Sequence, residues 1–201
     1  DDFLELSLSI RASDRAVGDA QDSLLCNSQG GVVDDLYVYR IAQEVFLLIV
    51  NASRVDDDFS LLQKLVVDLE KDPAVNVVNE SDDLAAIAVQ GPNVNLFIDD
   101  VFPLKGLINV DKPTGLTKNQ IDVFIYEGTN VYVANTGYTG EAGFELVAPN
   151  EVITHLWDRI FDLGKNYGVK PAGLGARDTL RLEMGYPLYG NELNEKVTPL
   201  E

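Results

Sequence analysis

Gly30-Gly31-Val32-Val33-Asp34-Asp35-Leu36 is the stretch whose reading decides the fold. Within Asn27 to Leu36, the paired glycines can take positive φ and make a turn, and an apolar strand follows with two aspartates at its entry. Outward from this turn, Leu36, Val38 and Ile41 alternate, and Val45 to Val50 and Leu84 to Val89 are further apolar segments bounded by Gly, Asn or Asp. Strands are also expected at Val75 to Val78, Ile121 to Tyr126, Val131 to Asn135 and Phe144 to Val147. Helices are expected where apolar residues share one face: Phe59, Leu62, Val66 and Leu69 within Asp56 to Leu69, and Val152, Leu156, Ile160 and Leu163 within Glu151 to Lys165. A short helix is expected after Pro92.

Strands and helices mix without a regular βαβ rhythm. The expected class is therefore α+β, with mixed, largely antiparallel sheets and flanking helices, and a Rossmann fold is disfavoured. Phe3 to Ile10 fits either element, because Leu4, Leu6, Leu8 and Ile10 alternate as in a strand while Leu4 and Leu8 also lie one helical turn apart. From Lys105 to Lys118 the pattern is lost around Gly106, Pro113 and Gly115, which places the expected boundary between a first lobe, 1–104, and a second, 105–201.

With 201 residues, 46% of them hydrophobic, the chain can bury a real core. Its formal charge of −18 repels phosphate backbones and anionic membrane surfaces, so neither nucleic acid nor membrane is an expected partner. The runs Asp56-Asp57-Asp58, Asp82-Asp83 and Asp99-Asp100 read as a solvated acidic face, with adaptation to a salty cytoplasm, where screening makes such charge tolerable, as the second reading. One cysteine, Cys26, and one histidine, His155, give neither an internal disulfide nor a cluster of soft ligands; no metal site is expected, and a reducing compartment fits. With no apolar run of bilayer length and no signal-like start, the expected location is the cytoplasm, or the mitochondrial matrix in a eukaryote.

Three segments carry candidate chemistry. If the strand continues through Asp34 and Asp35, the two point to opposite faces, so at most one enters any pocket. Exposed turn carboxylates and an acid in a dry pocket with a raised pKa both remain open for them. In Asn135-Thr136-Gly137-Tyr138-Thr139-Gly140-Glu141-Ala142-Gly143-Phe144-Glu145, three glycines in seven residues permit close backbone approach of a ligand or another strand. Glu145 lies inside an apolar run, where a flat heterocycle with an amino group beside a ring N–H would satisfy both oxygens. An Arg partner or an outward-facing position fits it equally. In Lys170 to Glu192, a helix of two to three turns follows the glycines and ends at Gly185, with Pro187 beyond. Arg177 and Arg181 share a face, for pairing with Asp178 and Glu183 or for anion or carbonyl recognition. Neither phosphate-binding glycine motif is present.

Gly30 to Leu36, Gly137-Tyr138-Thr139-Gly140-Glu141 with Gly143-Phe144-Glu145, and Ala172 to Glu183 running on to Tyr189-Gly190-Asn191 together resemble the aminomethyltransferase (T-protein) family of the glycine cleavage system. Order and spacing match from about Asp14 to Glu201. The resemblance implies a tetrahydrofolate-binding T-protein-like fold of which this chain holds the central portion, lacking an N-terminal segment and the C-terminal barrel domain. It implies transfer of the one-carbon unit from the aminomethyl-lipoyl arm of H-protein to tetrahydrofolate, with release of ammonia. Residue by residue, Asp35 resembles the catalytic aspartate, which would orient the accepting nitrogens and stabilise the iminium cation. Glu145 resembles the carboxylate that grips the pterin edge, Arg177 a folate-binding arginine, Tyr138 an aromatic wall and Asn51 a polar contact beside the catalytic aspartate. Where the family commonly carries an aromatic residue, this chain has Asp22, which removes a packing surface and adds a charge near the site. Two other readings share the fold: the folate-binding portion of a sarcosine or dimethylglycine dehydrogenase, and a folate-binding protein without transferase activity. The dehydrogenase reading lacks a dinucleotide fingerprint here. The non-catalytic relatives carry a lysine-glycine-cysteine motif where this chain has Gly185 to Gly190, without cysteine.

Overall fold

The computed structural model describes residues 2–68 and 75–200, which form two compact units. The first comprises Asp1–Ser81 with Pro187–Glu201, and the second Asp82–Tyr186. The division thus falls at 81/82 and 186/187, and position 104/105 lies inside the second unit.

In the first unit, β1 (Ala20–Cys26), β2 (Val32–Ala42) and β3 (Val45–Ile49) form an antiparallel sheet in that order. β1 is absent from the sequence expectation because Gln21, Asp22 and Ser23 break its apolar alternation. The helix α1 (Asp2–Ser7) resolves the ambiguous opening. Leu4 and Leu8 are buried while Leu6 is 68% exposed, a division that a helical turn produces and strand alternation does not. The chain then straightens, and Leu8 bridges Leu25 on β1. Helix α2 (Val55–Asp68) contributes Leu62 to a core made with Leu4, Leu8, Leu25, Val33, Leu36 and Val38. Leu69, the last residue of the expected helix, lies outside the described residues. The strand expected at Val75 to Val78 is not formed; Val77 packs against this core without joining a ladder among the described residues.

In the second unit, β4 (Leu84–Gln90), β5 (Ile121–Tyr126), β6 (Thr129–Ala134) and β7 (Gly143–Pro149) form an antiparallel sheet in the order β4-β7-β6-β5. Helix α3 (Asn150–Gly164) presents Leu156 and Ile160 to a core with Phe97, Ile98, Phe102, Phe124, Val131, Val133, Phe144 and Leu146. The expected helix after Pro92 is a pair of tight 3-10 turns, Val94–Leu96 and Ile98–Val101, which bury Val94, Ile98 and Val101. Helix α4 (Leu174–Glu183) ends as its glycine predicts: Gly185 takes φ 72°, and the N–H groups of Gly185 and Tyr186 donate to the carbonyls of Leu182 and Arg181.

The pattern is lost after Lys105 for a reason other than a linker. Asp122 on β5 is fully buried, and its carboxylate accepts the backbone N–H groups of Ile108 (2.8 Å), Asn109 (2.7 Å), Val110 (2.9 Å) and Val123 (2.6 Å). One charged side chain replaces a ladder as the partner of this loop, so the loop needs no periodicity to be ordered. Among the described residues, no helix is long and apolar enough to cross a membrane.

Asp122→Asn turns an NH2 group toward donors and removes the charge. We expect it to destabilise the protein by about 3 kcal/mol, read as a fall in the urea midpoint at unchanged m-value. A change under about 0.5 kcal/mol would show that the loop does not depend on this carboxylate.

Candidate functional site

The turn ahead of β2 is built on Asn27, whose Oδ1 accepts the N–H groups of Gln29 (3.0 Å) and Gly31 (2.9 Å). Gly30 sits at φ 84°. Gly31 has no room for a Cβ, which would overlap the Glu195 carbonyl. This closeness lets the C-terminal segment seat on β2: Asn27 Nδ2 donates to the Glu195 carbonyl (2.9 Å), and Val32 N–H is within 3.1 Å of the carbonyls of both Asn194 and Val197. The glycines flagged in the sequence serve backbone approach within the unit.

β2 then carries Asp34 and Asp35 as consecutive residues of the strand. Asp34 is fully buried and Asp35 half-buried. The pairing Tyr37↔Ile49, continued by two residues, brings Asn51 opposite Asp35. The Asn51 backbone N–H donates to Asp34 Oδ2 (2.9 Å). Its Nδ2 lies within donating distance of Asp34 Oδ1 (2.8 Å), Asp35 Oδ1 (2.9 Å) and the Asp35 carbonyl (3.1 Å). A single amide therefore orients both acids. Burial, then the charge of Asp34, push the Asp35 carboxyl above the ordinary aspartate range, and the Asn51 donor opposes them. On β1, Asp22 keeps over a third of its surface open, yet desolvation of the remainder and the charge of Asp35 push it up to about 6. Asp22 thus sits in the field of Asp35.

Two residues of this neighbourhood escaped the sequence reading. Arg54 donates Nε to the Val33 carbonyl (3.1 Å) and Nη2 to Glu195 Oε1 (3.0 Å), pairs with Asp57 (2.8 Å), and lies 5.1 Å from the Tyr189 ring centre. Asp58 is 1% exposed. It belongs to the triplet read as a solvated face, but it stands four residues before Leu62, and that spacing points it inward.

In the second unit, Glu145 is half-buried on β7 between buried Phe144 and Leu146, and its Oε2 accepts the Thr136 hydroxyl (2.6 Å). The two arginines of α4 part company. Arg181 is 4% exposed, paired with Asp178 (2.8 Å) and donating to the Tyr186 carbonyl (3.1 Å). Arg177 is exposed, its guanidinium 4.7 Å from the centre of the Tyr138 ring, which also stacks with Tyr186 at 5.6 Å. Of the sequence candidates, Asp35 and Asn51 come together in the first unit, and Tyr138 and Arg177 in the second; Glu145 stands with Thr136. Among the described residues, no group of three or more His, Cys, Asp or Glu side chains converges as a metal site.

Gln90, at the end of β4, braces the glycine-rich loop. Its Nε2 donates to the carbonyls of Thr136 (3.1 Å) and Phe144 (3.3 Å), and its Oε1 accepts the Thr139 hydroxyl (3.1 Å). A Cβ at Gly137 or Gly143 would overlap this amide, and one at Gly140 would overlap Met184. The three glycines thus fit the loop around Gln90 and the end of α4.

The model described as the GCVT N-terminal domain matches residues 1–201. Curated relatives named aminomethyltransferase include one from Chlorobium limicola, 42% identical over 200 residues, covering 100% of this chain and 53% of the relative. Another, from Chlorobaculum parvum, is 46% identical over 184 residues, covering 92% of this chain and 48% of the relative. The chain spans about half the length of these relatives. Among solved structures, that of the glycine cleavage system aminomethyltransferase T from Bartonella henselae matches with a TM-score of 0.81 at 29% identity, over 98% of this chain and 49% of that one.

Gly143→Ala is expected to cost about 1–3 kcal/mol through overpacking, and Gly143→Ala combined with Gln90→Ala less than the sum of the two single changes. Strict additivity in urea unfolding would show that Gln90 does not fill the space beside Gly143.

Proposed function

The chain belongs to the GCVT N-terminal domain family, and on that premise we propose that its protein is a tetrahydrofolate-dependent aminomethyltransferase of the glycine cleavage system. The substrate is the aminomethyl group on the lipoyl arm of H-protein, the partner is that lipoylated carrier, ammonia is released, and the setting is the cytoplasm. The curated relatives above, all named aminomethyltransferase, favour this reading over the dehydrogenase and non-catalytic alternatives.

The residues fit a folate. Glu145 has one oxygen fixed by Thr136 and keeps acceptor capacity for the paired donors along a pterin edge. Arg177 supplies a cation, and Tyr138 an aromatic surface beside it. Tetrahydrofolate, when bound, supplies the nitrogen atoms that accept the one-carbon unit.

The chain's own contribution to the reaction is electrostatic. As the carbon–nitrogen bond of the aminomethyl group, in its protonated ammonium form, breaks, the electron pair leaves with ammonia and the positive charge passes to carbon. Asp35, as the anion, stabilises that charge, and Asn51 holds its carboxylate so that it need not reorganise. Burial of Asp35 strengthens its field, at the cost of a raised pKa. The observation that carries the proposal is the Asn51 bridge, which fixes a half-buried carboxylate that the folded environment otherwise disfavours as an anion.

In the full-length protein supplied with loaded H-protein and tetrahydrofolate, Asp35→Asn is expected to lower kcat for ammonia release by about 100-fold or more. Glu145→Gln is expected to raise the KM for tetrahydrofolate about tenfold. Because the active form is the anion and the Asp35 pKa is raised, kcat should fall on acidification with a midpoint above the ordinary aspartate value. Turnover by Asp35→Asn at the wild-type rate would rule out the catalytic assignment.

A further inference from the structure

Asp58 is a buried acid to which the reaction above gives no role. Both of its oxygens are sealed from solvent, and neither takes a hydrogen bond from a donor among the described residues. Its side chain meets that of Asp34. The groups that bear on it are Asp34 from β2, Arg54 from the turn just before α2, Asp57 from its own helix, and Tyr189 from the C-terminal segment. Arg54 is engaged with the Val33 carbonyl, Asp57 and Glu195.

Two carboxyl groups can meet inside a protein only if they share a proton. The hydrogen bonds say which of the two keeps it. Both oxygens of Asp34 accept donors from Asn51, the arrangement that an anion requires. Asp58 accepts none, so its chemistry is satisfied only when it donates. We infer that Asp58 is a neutral carboxylic acid that donates its proton to Asp34, and that it is a positioning residue fixing Asp34 and, through Asn51, Asp35. Burial, contact with Asp34 and the charge of Asp34 all push its pKa upward, against the single opposing influence of Arg54. The device keeps Asp34 anionic for Asn51 without a second uncompensated buried charge.

The part concerning Asp35 rests on the catalytic reading above; the protonation of Asp58 does not. Infrared spectroscopy of the full-length protein at pH 7 tests the proton directly. A carbonyl band of a protonated carboxylic acid is expected in the wild type, lost in Asp58→Asn and retained in Asp35→Asn. Its absence from the Asp58→Asn difference spectrum would overturn the proposal. Stability gives an independent readout. A native acid with a raised pKa binds its proton where the unfolded chain has lost it, so wild-type stability falls as pH rises from the ordinary aspartate range through the native pKa. Asp58→Asn can still donate and has no proton to lose, so it should gain on the wild type as pH rises; a pH-independent difference would also count against the proposal. For the positioning role, Asp58→Leu should lower kcat about tenfold with the tetrahydrofolate KM changed under about threefold, and Asp58→Asn should recover most of the loss. If Leu fails to fold, the spectrum and pH profile of the Asn variant still decide the protonation. A confirmed band with Asp58→Leu at full turnover would remove the positioning role alone. Full turnover by Asp35→Asn would remove the catalytic reading while leaving the protonation intact.

Discussion

The first unit depends on placing acids out of water beside one another. Asp34 is fully buried, Asp35 half-buried and Asp58 nearly sealed, in a chain whose formal charge is already −18. An isolated buried carboxylate is expensive, and like charges at close range add to the cost. The Asn51 amide meets it by donating to both neighbouring acids from one side chain. The dipole at the start of α2 favours anions by about 0.3–1 kcal/mol, less than the 1.36 kcal/mol of a single pKa unit. That is too little to hold Asp58 ionised against Asp34.

The second unit solves a packing problem instead. A loop of three glycines, which carries the Tyr138 ring, folds around the Gln90 amide and the Met184 side chain. Helix α4 then places Arg177 over that ring, while Arg181, one turn on, is spent on Asp178 and the helix's own terminus. Asp122 performs the same service for the loop before β5 by gathering four backbone donors on one carboxylate. In both loops a polar side chain organises irregular backbone.

Much of this was legible in the sequence. β5 falls at its expected bounds, α3 and β7 lie within a few residues of theirs, and the glycine at 185 marks a helix end that the backbone adopts. Asn51 beside Asp35 was implied by resemblance, and in the structure its Nδ2 lies 2.9 Å from Asp35 Oδ1. What escaped has physical causes. β1 hides because Asp22 and Ser23 interrupt its apolar alternation, and its strand character comes from pairing with β2. The boundary at 104/105 followed a loss of periodicity, but β4, which lies before it, pairs with β7. Composition could not separate Asp58 from Asp56 and Asp57, since three identical residues in a row differ only in which face of the helix each occupies.

The most direct test of this account is the titration of the Asp35 carboxyl by carbon NMR in labelled protein, with and without Asn51. The account predicts a midpoint above the ordinary aspartate value in the wild type, from burial and the Asp34 charge, and a higher one in Asn51→Leu, because the lost donor favours the anion. A wild-type midpoint at or below that of a free aspartate, unmoved by Asn51→Leu, would contradict it.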